Sequence, residues 1–80
     1  MKLIDCKQKK DYIFLLTFQN GEVKEIDLKD LIVKYVTADD LHTAKINSEW
    51  GCLEFLSGNV DIEPKTLYKY ASQKKAHTLA

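Results

Sequence analysis

Apolar and polar positions along this 80-residue chain follow two different periods, and the change of period marks the elements. Tyr12, Phe14, Leu16 and Phe18 alternate with Ile13, Leu15 and Thr17. A period of two predicts a β-strand. Because both of its faces are apolar, the strand is expected to be central and covered on two sides. Residues 2–7 alternate more loosely and predict a first strand, with the polar run 7–11 as the turn after it. Asn20-Gly21 is a favoured pair for a two-residue type I′ turn, since both residues tolerate positive φ. Residues 22–27 then return as a third strand, which gives an antiparallel meander.

The period lengthens after residue 27. Leu28, Leu31, Ile32 and Tyr35 recur at i, i+3, i+4 and i+7, one stripe of a helix. Asp27 stands where its carboxylate can cap that helix. Thr37 with Asp40 resembles a capping box, and Val36 and Leu41 occupy the hydrophobic-staple positions around it, so a second short helix follows. Residues 45–47, 52–56 and 60–62 read as short strands, separated by the turns Ser48-Glu49-Trp50-Gly51 and Ser57-Gly58-Asn59. The meander and the later hairpin are expected to share one five-strand sheet. Pro64 fits the first turn of a final helix, where its missing N–H costs nothing. Leu67, Tyr70 and Ala71 form the inner face of that helix, and Lys69, Lys74 and Lys75 suit its C-terminal end. Residues 76–80 carry no continuing pattern and are expected to fray. The fold class is therefore α+β: a mostly antiparallel sheet (a three-strand meander plus a later hairpin), two short helices in mid-chain and one C-terminal helix. Residues 1–75 make a single domain and 76–80 a tail.

Size and charge narrow the functions open to such a domain. A chain this short buries only roughly 60% of the surface its unfolded form exposes. It has room for one core and little for an internal active-site cavity. No apolar run approaches the ~20 residues of a membrane span. Asp5 interrupts the start before a leader can form, so a cytoplasmic location away from membranes is expected. The formal charge is zero but unevenly spread. Residues 1–10 hold four Lys and one Asp, net +3; residues 11–64 hold four Lys and eleven acids, net −7; residues 65–80 hold four Lys and no acid, net +4. Basic ends could meet a phosphate backbone. The chain has no Arg, the usual bidentate reader of guanine and phosphate, so nucleic acid is not the expected partner.

Candidate chemistry is sparse. Cys6 and Cys52 are far apart and match neither a disulfide framework nor a zinc ligand set. The two imidazoles are His42, on the second short helix, and His77, in the tail. Asp39-Asp40 reads as helix N-terminal charge. Asp61 and Glu63 could hold a cation weakly or cap the Pro64 helix. The three Gly all stand at turns, which leaves no phosphate loop. No catalytic residue, metal, cofactor or small-molecule ligand is expected, and the protein is not expected to be an enzyme. The aromatic residues offer more. Trp50 sits in a turn, and with Phe55 or Tyr68 beside it would make an interface anchor, since Trp and Tyr dominate binding hot spots. The other reading has Trp50 folded back over the end of the core. Ile13 and Leu15, with Phe55 or Cys52, would form an apolar patch if one sheet face lacks a cover. A homodimer would then be the commonest solution. The candidate interface is Trp50, Phe55, Tyr68, Ile13 and Leu15.

The order of motifs resembles a known family. A hydrophobic strand runs into Asn20-Gly21-Glu22-Val23, followed by Asp27-Leu28 with Leu31, then Trp50-Gly51, an apolar strand, Gly58, Asp61-Ile62, Pro64 and Leu67-Tyr68. This pattern, over residues 2–70, resembles a small bacterial family catalogued as domain of unknown function 2442. Phe55-Leu56 stands where that family commonly has Trp-Pro. The resemblance implies an α+β domain that occurs alone or ahead of a helix-turn-helix domain. It also implies a paired, toxin–antitoxin-like setting, because some members are encoded beside another small protein. The expected function is a non-enzymatic protein-interaction domain with a protein partner or a homodimer, and the alternative is a nucleic-acid-associated regulatory module using the basic termini.

Overall fold

The computed structural model describes residues 1–79, with side chains described for residues 1–73. Its elements are β1 (Leu3–Lys10), β2 (Ile13–Phe18), β3 (Val23–Asp27), a single-turn α1 (Lys29–Ile32), a 3-10 helix (Ala38–Thr43), β4 (Lys45–Ile46), β5 (Leu53–Phe55), a second, shorter 3-10 helix (Leu56–Gly58), β6 (Val60–Ile62) and α2 (Pro64–Leu79). The α+β class stands, with antiparallel pairing throughout. The strands form two three-strand sheets, β1-β2-β3 and β4-β5-β6, instead of the single five-strand sheet expected. Packing one sheet against another buries both inner faces, which a single sheet with this few helices could not do.

β2 is central, as its pattern predicts, but only one of its faces is buried. Tyr12, Phe14, Leu16 and Phe18 point into the core, whereas Ile13, Leu15 and Thr17 are half-buried on the other side. The core side gathers Leu3 from β1, Ile26 from β3, Leu53 and Phe55 from β5, and Leu67 and Ala71 from α2. Phe14 and Phe55 meet edge to face, with ring centroids 5.9 Å apart at 84°. That contact joins the two sheets at their centres.

Local details depart from the sequence reading in three places. β1 runs on to Lys10, so the turn shrinks to Asp11-Tyr12, with Asp11 at φ 50°. The second hairpin is not type I′. Phe18 N–H donates to Glu22 O at 2.8 Å and Gly21 N–H to Phe18 O at 2.9 Å, so the loop is Gln19-Asn20-Gly21. Only Gly21, at φ 90°, is left-handed there. This is the three-residue loop with glycine in the left-handed position, and Asn20 contributes its side chain by accepting the Glu22 N–H at 3.0 Å. Third, the 28–35 helix stops after one turn. Asp27 Oδ1 does accept the Lys29 N–H, at 3.0 Å, and Leu28 and Ile32 are buried, but Tyr35 is 66% exposed. Val36 takes the inward place instead, and its carbonyl accepts the buried Tyr12 hydroxyl at 2.7 Å.

The later half keeps the expected order. Val36 and Leu41 are both buried around Thr37, while Thr37 Oγ1 reaches Asp40 Oδ2 at 3.1 Å and no reciprocal cap forms. Pro64 opens α2, and among its described side chains Leu67 and Ala71 are buried. The backbone of α2 continues to Leu79, past residue 76 where a tail was expected, and the side chain of His77 lies outside the described residues. Among the described residues no helix is long and apolar enough to cross a membrane.

Candidate functional site

The turn that carries Trp50 is built by one asparagine. Asn47 Oδ1 accepts the backbone N–H of Glu49 and of Trp50, each at 2.9 Å, and Asn47 O accepts the Gly51 N–H at 2.7 Å. The turn closes at Gly51, which has φ 73° and lies hard against the start of the chain. A Cβ there would sit 2.3 Å from Lys2 Cβ and 2.8 Å from Lys2 Cα. Leu3 N–H donates to Gly51 O at 3.0 Å, so the first strand is tied to this turn. So held, Trp50 is 66% exposed and does not fold back over the core.

Beside Trp50 the outer face of the second sheet forms a recess of about 560 Å3. Alternation explains its chemistry. Leu53 and Phe55 turn inward, which leaves Cys52 and Glu54 on the outer side of the same strand. Register places Glu54 between Lys45 and Asp61, and Glu63 follows two residues after Asp61 on the same side. Cys52, Glu54, Asp61 and Glu63 therefore face the recess together, with Trp50 and Pro64 as apolar walls and Lys2 and Lys65 at the margin. Asn47 Nδ2 donates to Glu54 Oε2 at 3.0 Å and fixes that carboxylate. The lining is mixed in charge, since the α-amino group of Met1 joins Lys2 and Lys65 opposite the three carboxylates, but the charges that act on the Cys52 thiol are the carboxylates. Burial raises the Cys52 pKa above the ordinary thiol value, and Asp61, Glu63 and Glu54 raise it further. Cys6 is raised too, by burial and then by Asp5. Neither thiol has the electropositive surroundings that make a nucleophilic cysteine. His42 Nδ1 lies 2.8 Å from Asp39 O, within its own short helix. Among the described residues no group of three His, Cys, Asp or Glu could hold a metal ion.

The other proposed interface residues separate. Phe55 is 0% exposed and belongs to the core, because it is the inward member of the β5 alternation. Tyr68 is engaged internally. Its ring meets Phe18 at 5.3 Å and 89°, and Lys24 Nζ lies 5.2 Å from its centroid. The phenol pKa is raised first by a hydrogen bond to Glu22, then by burial and by the Glu22 charge. Lys24 Nζ also stands 3.9 Å from Glu22 Oε2. Ile13 and Leu15 lie together on the outer face of the first sheet, apart from both Phe55 and Cys52. The single apolar patch expected from sequence does not form. The sequence reading paired Asp61 with Glu63 but missed that Glu54 joins them, although the alternation of residues 52–55 carried that signal.

A family model described as "Protein of unknown function (DUF2442)" matches residues 4–73. The chain belongs to the DUF2442 family. The match spans both sheets of this DUF2442 domain and the first ten residues of α2. No curated protein and no solved structure matches the chain.

Proposed function

We propose that this DUF2442 domain is a non-enzymatic protein-interaction domain that takes a basic segment of a protein partner. Trp50 is the anchor and the carboxylates of Glu54, Asp61 and Glu63 are the counter-charge. One observation carries the reading: a fixed, exposed Trp lining the same recess as the carboxylates of Glu54, Asp61 and Glu63. An indole face attracts Lys or Arg cations, and carboxylates beside it add to the attraction. The recess lies open on a sheet face, which suits a peptide segment better than an enclosed metabolite. In this role the domain is the regulatory half of a paired, toxin–antitoxin-like system, as the family resemblance implies, and it works in the cytoplasm.

Trp50 is the sole tryptophan, so its fluorescence reports the site directly. A short Lys-rich peptide should shift its emission and bind less well as salt rises. Asp61→Asn and Glu63→Gln should each weaken binding several-fold. Unchanged emission at millimolar peptide defeats the reading. A second reading, a nucleic-acid-associated regulatory module, draws on Lys7, Lys9 and Lys10, all exposed along β1. A salt-sensitive mobility shift with duplex DNA or RNA would favour it over the first.

A further inference from the structure

The outer face of the first sheet carries a charge pattern that the described chain answers only at one corner, where Asp27 accepts the Lys29 N–H and Ala38 approaches Ile13. Every buried residue of that sheet lies on the opposite face. On the outer face, register sets three rows across the strands. Lys10, Ile13 and Asp27 make one; Lys7, Leu15 and Glu25 make the next; Asp5, Thr17 and Val23 make the third. The centre is an apolar stripe of Ile13, Leu15 and the Thr17 methyl, widened by Val23, which is 55% exposed. In two of the three rows a lysine flanks the stripe on the β1 side and an acid on the β3 side; the third row has Asp5 on β1 and Val23 on β3. Lys7 and Glu25 stand two strand spacings apart, roughly 10 Å. Among the described residues, neither they nor Lys10 form an ion pair.

The geometry points to a second copy of this chain as the occupant of this face, related by a two-fold axis parallel to β2. Such an axis exchanges left and right but keeps position along the strands. The lysine side of one copy then meets the acid side of the other. Lys7 faces Glu25, Lys10 faces Asp27, Leu15 faces Leu15, and Asp5 meets Val23, so no like charges oppose. An axis across the strands would set Lys7 against Lys7 and Glu25 against Glu25, and like charges in contact disfavour it. The charge order thus selects both the partner and its orientation. Two sheets stacked this way also match the aligned packing preferred between sheet faces. Three strands give a face roughly 14 Å wide, at the low end for stable interfaces, so association on the order of 10–100 µM is expected. This surface shares no residue with the Trp50 recess and does not depend on its proposed role.

Sedimentation equilibrium from about 5 to 300 µM tests it. The mass should rise from 9.2 kDa toward twice that value. Lys7→Glu and Glu25→Lys should each weaken association about tenfold by creating like-charge pairs. The double variant Lys7→Glu/Glu25→Lys should restore it to within about twofold. All three positions of this test, Leu15 included, lie off the core, so Leu15→Glu should keep the circular dichroism of the folded monomer, with melting lowered about as much as by Leu15→Ala, while it abolishes the dimer. A mass that stays at the monomer value, a double variant no better than the singles, or a dimer lost on Trp50→Ala but kept on Leu15→Glu overturns the proposal.

Discussion

Two glycines show how much a single position can depend on its neighbours. Gly21 and Gly51 both have positive φ, yet nothing lies within 4 Å of a Cβ built on Gly21, whereas one built on Gly51 meets Lys2 backbone and side chain. Gly21→Ala therefore costs only the left-handed backbone, about 1 kcal/mol. Gly51→Ala adds a collision with β1 and should cost at least about 2 kcal/mol more. Denaturant titration of the two variants checks the order, and equal losses would mean that β1 gives way freely. Cys52 supplies a second residue-scale expectation. Its raised pKa means less thiolate near neutral pH than an ordinary cysteine. Asp61→Asn lowers the opposing charge, so iodoacetamide should label Cys52 faster in that variant at pH 8, with the difference shrinking in high salt. Equal rates would show that the recess carries no field at the thiol.

At the scale of elements, β2 divides the molecule into an inside and an outside. Phe14 is wholly buried against Phe55, so Phe14→Ala should cost about 3–5 kcal/mol. Leu15 on the other face should cost about 1 kcal/mol when cut to Ala in the monomer. Thermal melts at low concentration separate the two, and a comparable loss at both positions would mean that β2 is covered on both sides. The early end of α1 follows from the same inside. Beyond Ile32 a continuing helix would hold Tyr35 on the inner stripe, but the space there is already filled by Tyr12, whose hydroxyl takes the Val36 carbonyl. Tyr12→Phe strands that buried acceptor and should cost about 1–2 kcal/mol.

For the whole molecule, the groups with resolved shifts titrate in one direction. Cys6, Cys52 and Tyr68 all have raised pKa values. Each is uncharged when protonated, so the fold favours the protonated form. Their contribution is complete below the unfolded values, near pH 9 for the thiols and pH 10 for the phenol, and is lost as pH climbs through the folded values. Stability should therefore hold through neutral pH and fall on the alkaline side. Tyr68→Phe should blunt the fall above pH 10, because it removes the phenolate that would meet Glu22. Urea midpoints across pH 7–11 measure this, and a flat profile would contradict it.

The sequence by itself determined the local choices. The alternation of residues 12–18 made β2 a strand and sorted its side chains onto two faces, since a pleated strand sends successive side chains to opposite sides, but with both faces apolar it left the choice of the buried one to packing. Asp27 holds the Lys29 N–H just ahead of α1, although Leu28 takes the cap position itself; Val36 and Leu41 are buried on either side of Thr37, and Pro64 starts α2. The motif order also carried the family. Only the tertiary structure decided what lies between elements. Whether six short strands make one sheet or two depends on packing partners far apart in the chain, and the Phe14–Phe55 contact settled it for two. Phe55 became core and Trp50 surface although both are aromatic and near neighbours, because one is the inward residue of a strand and the other is held outward by Asn47. The grouping of Glu54 with Asp61 and the lysine-to-acid order across the outer sheet face likewise arise from strand register, which sets Lys7, Leu15 and Glu25 in one row across three strands, a placement that alternation within one strand does not fix.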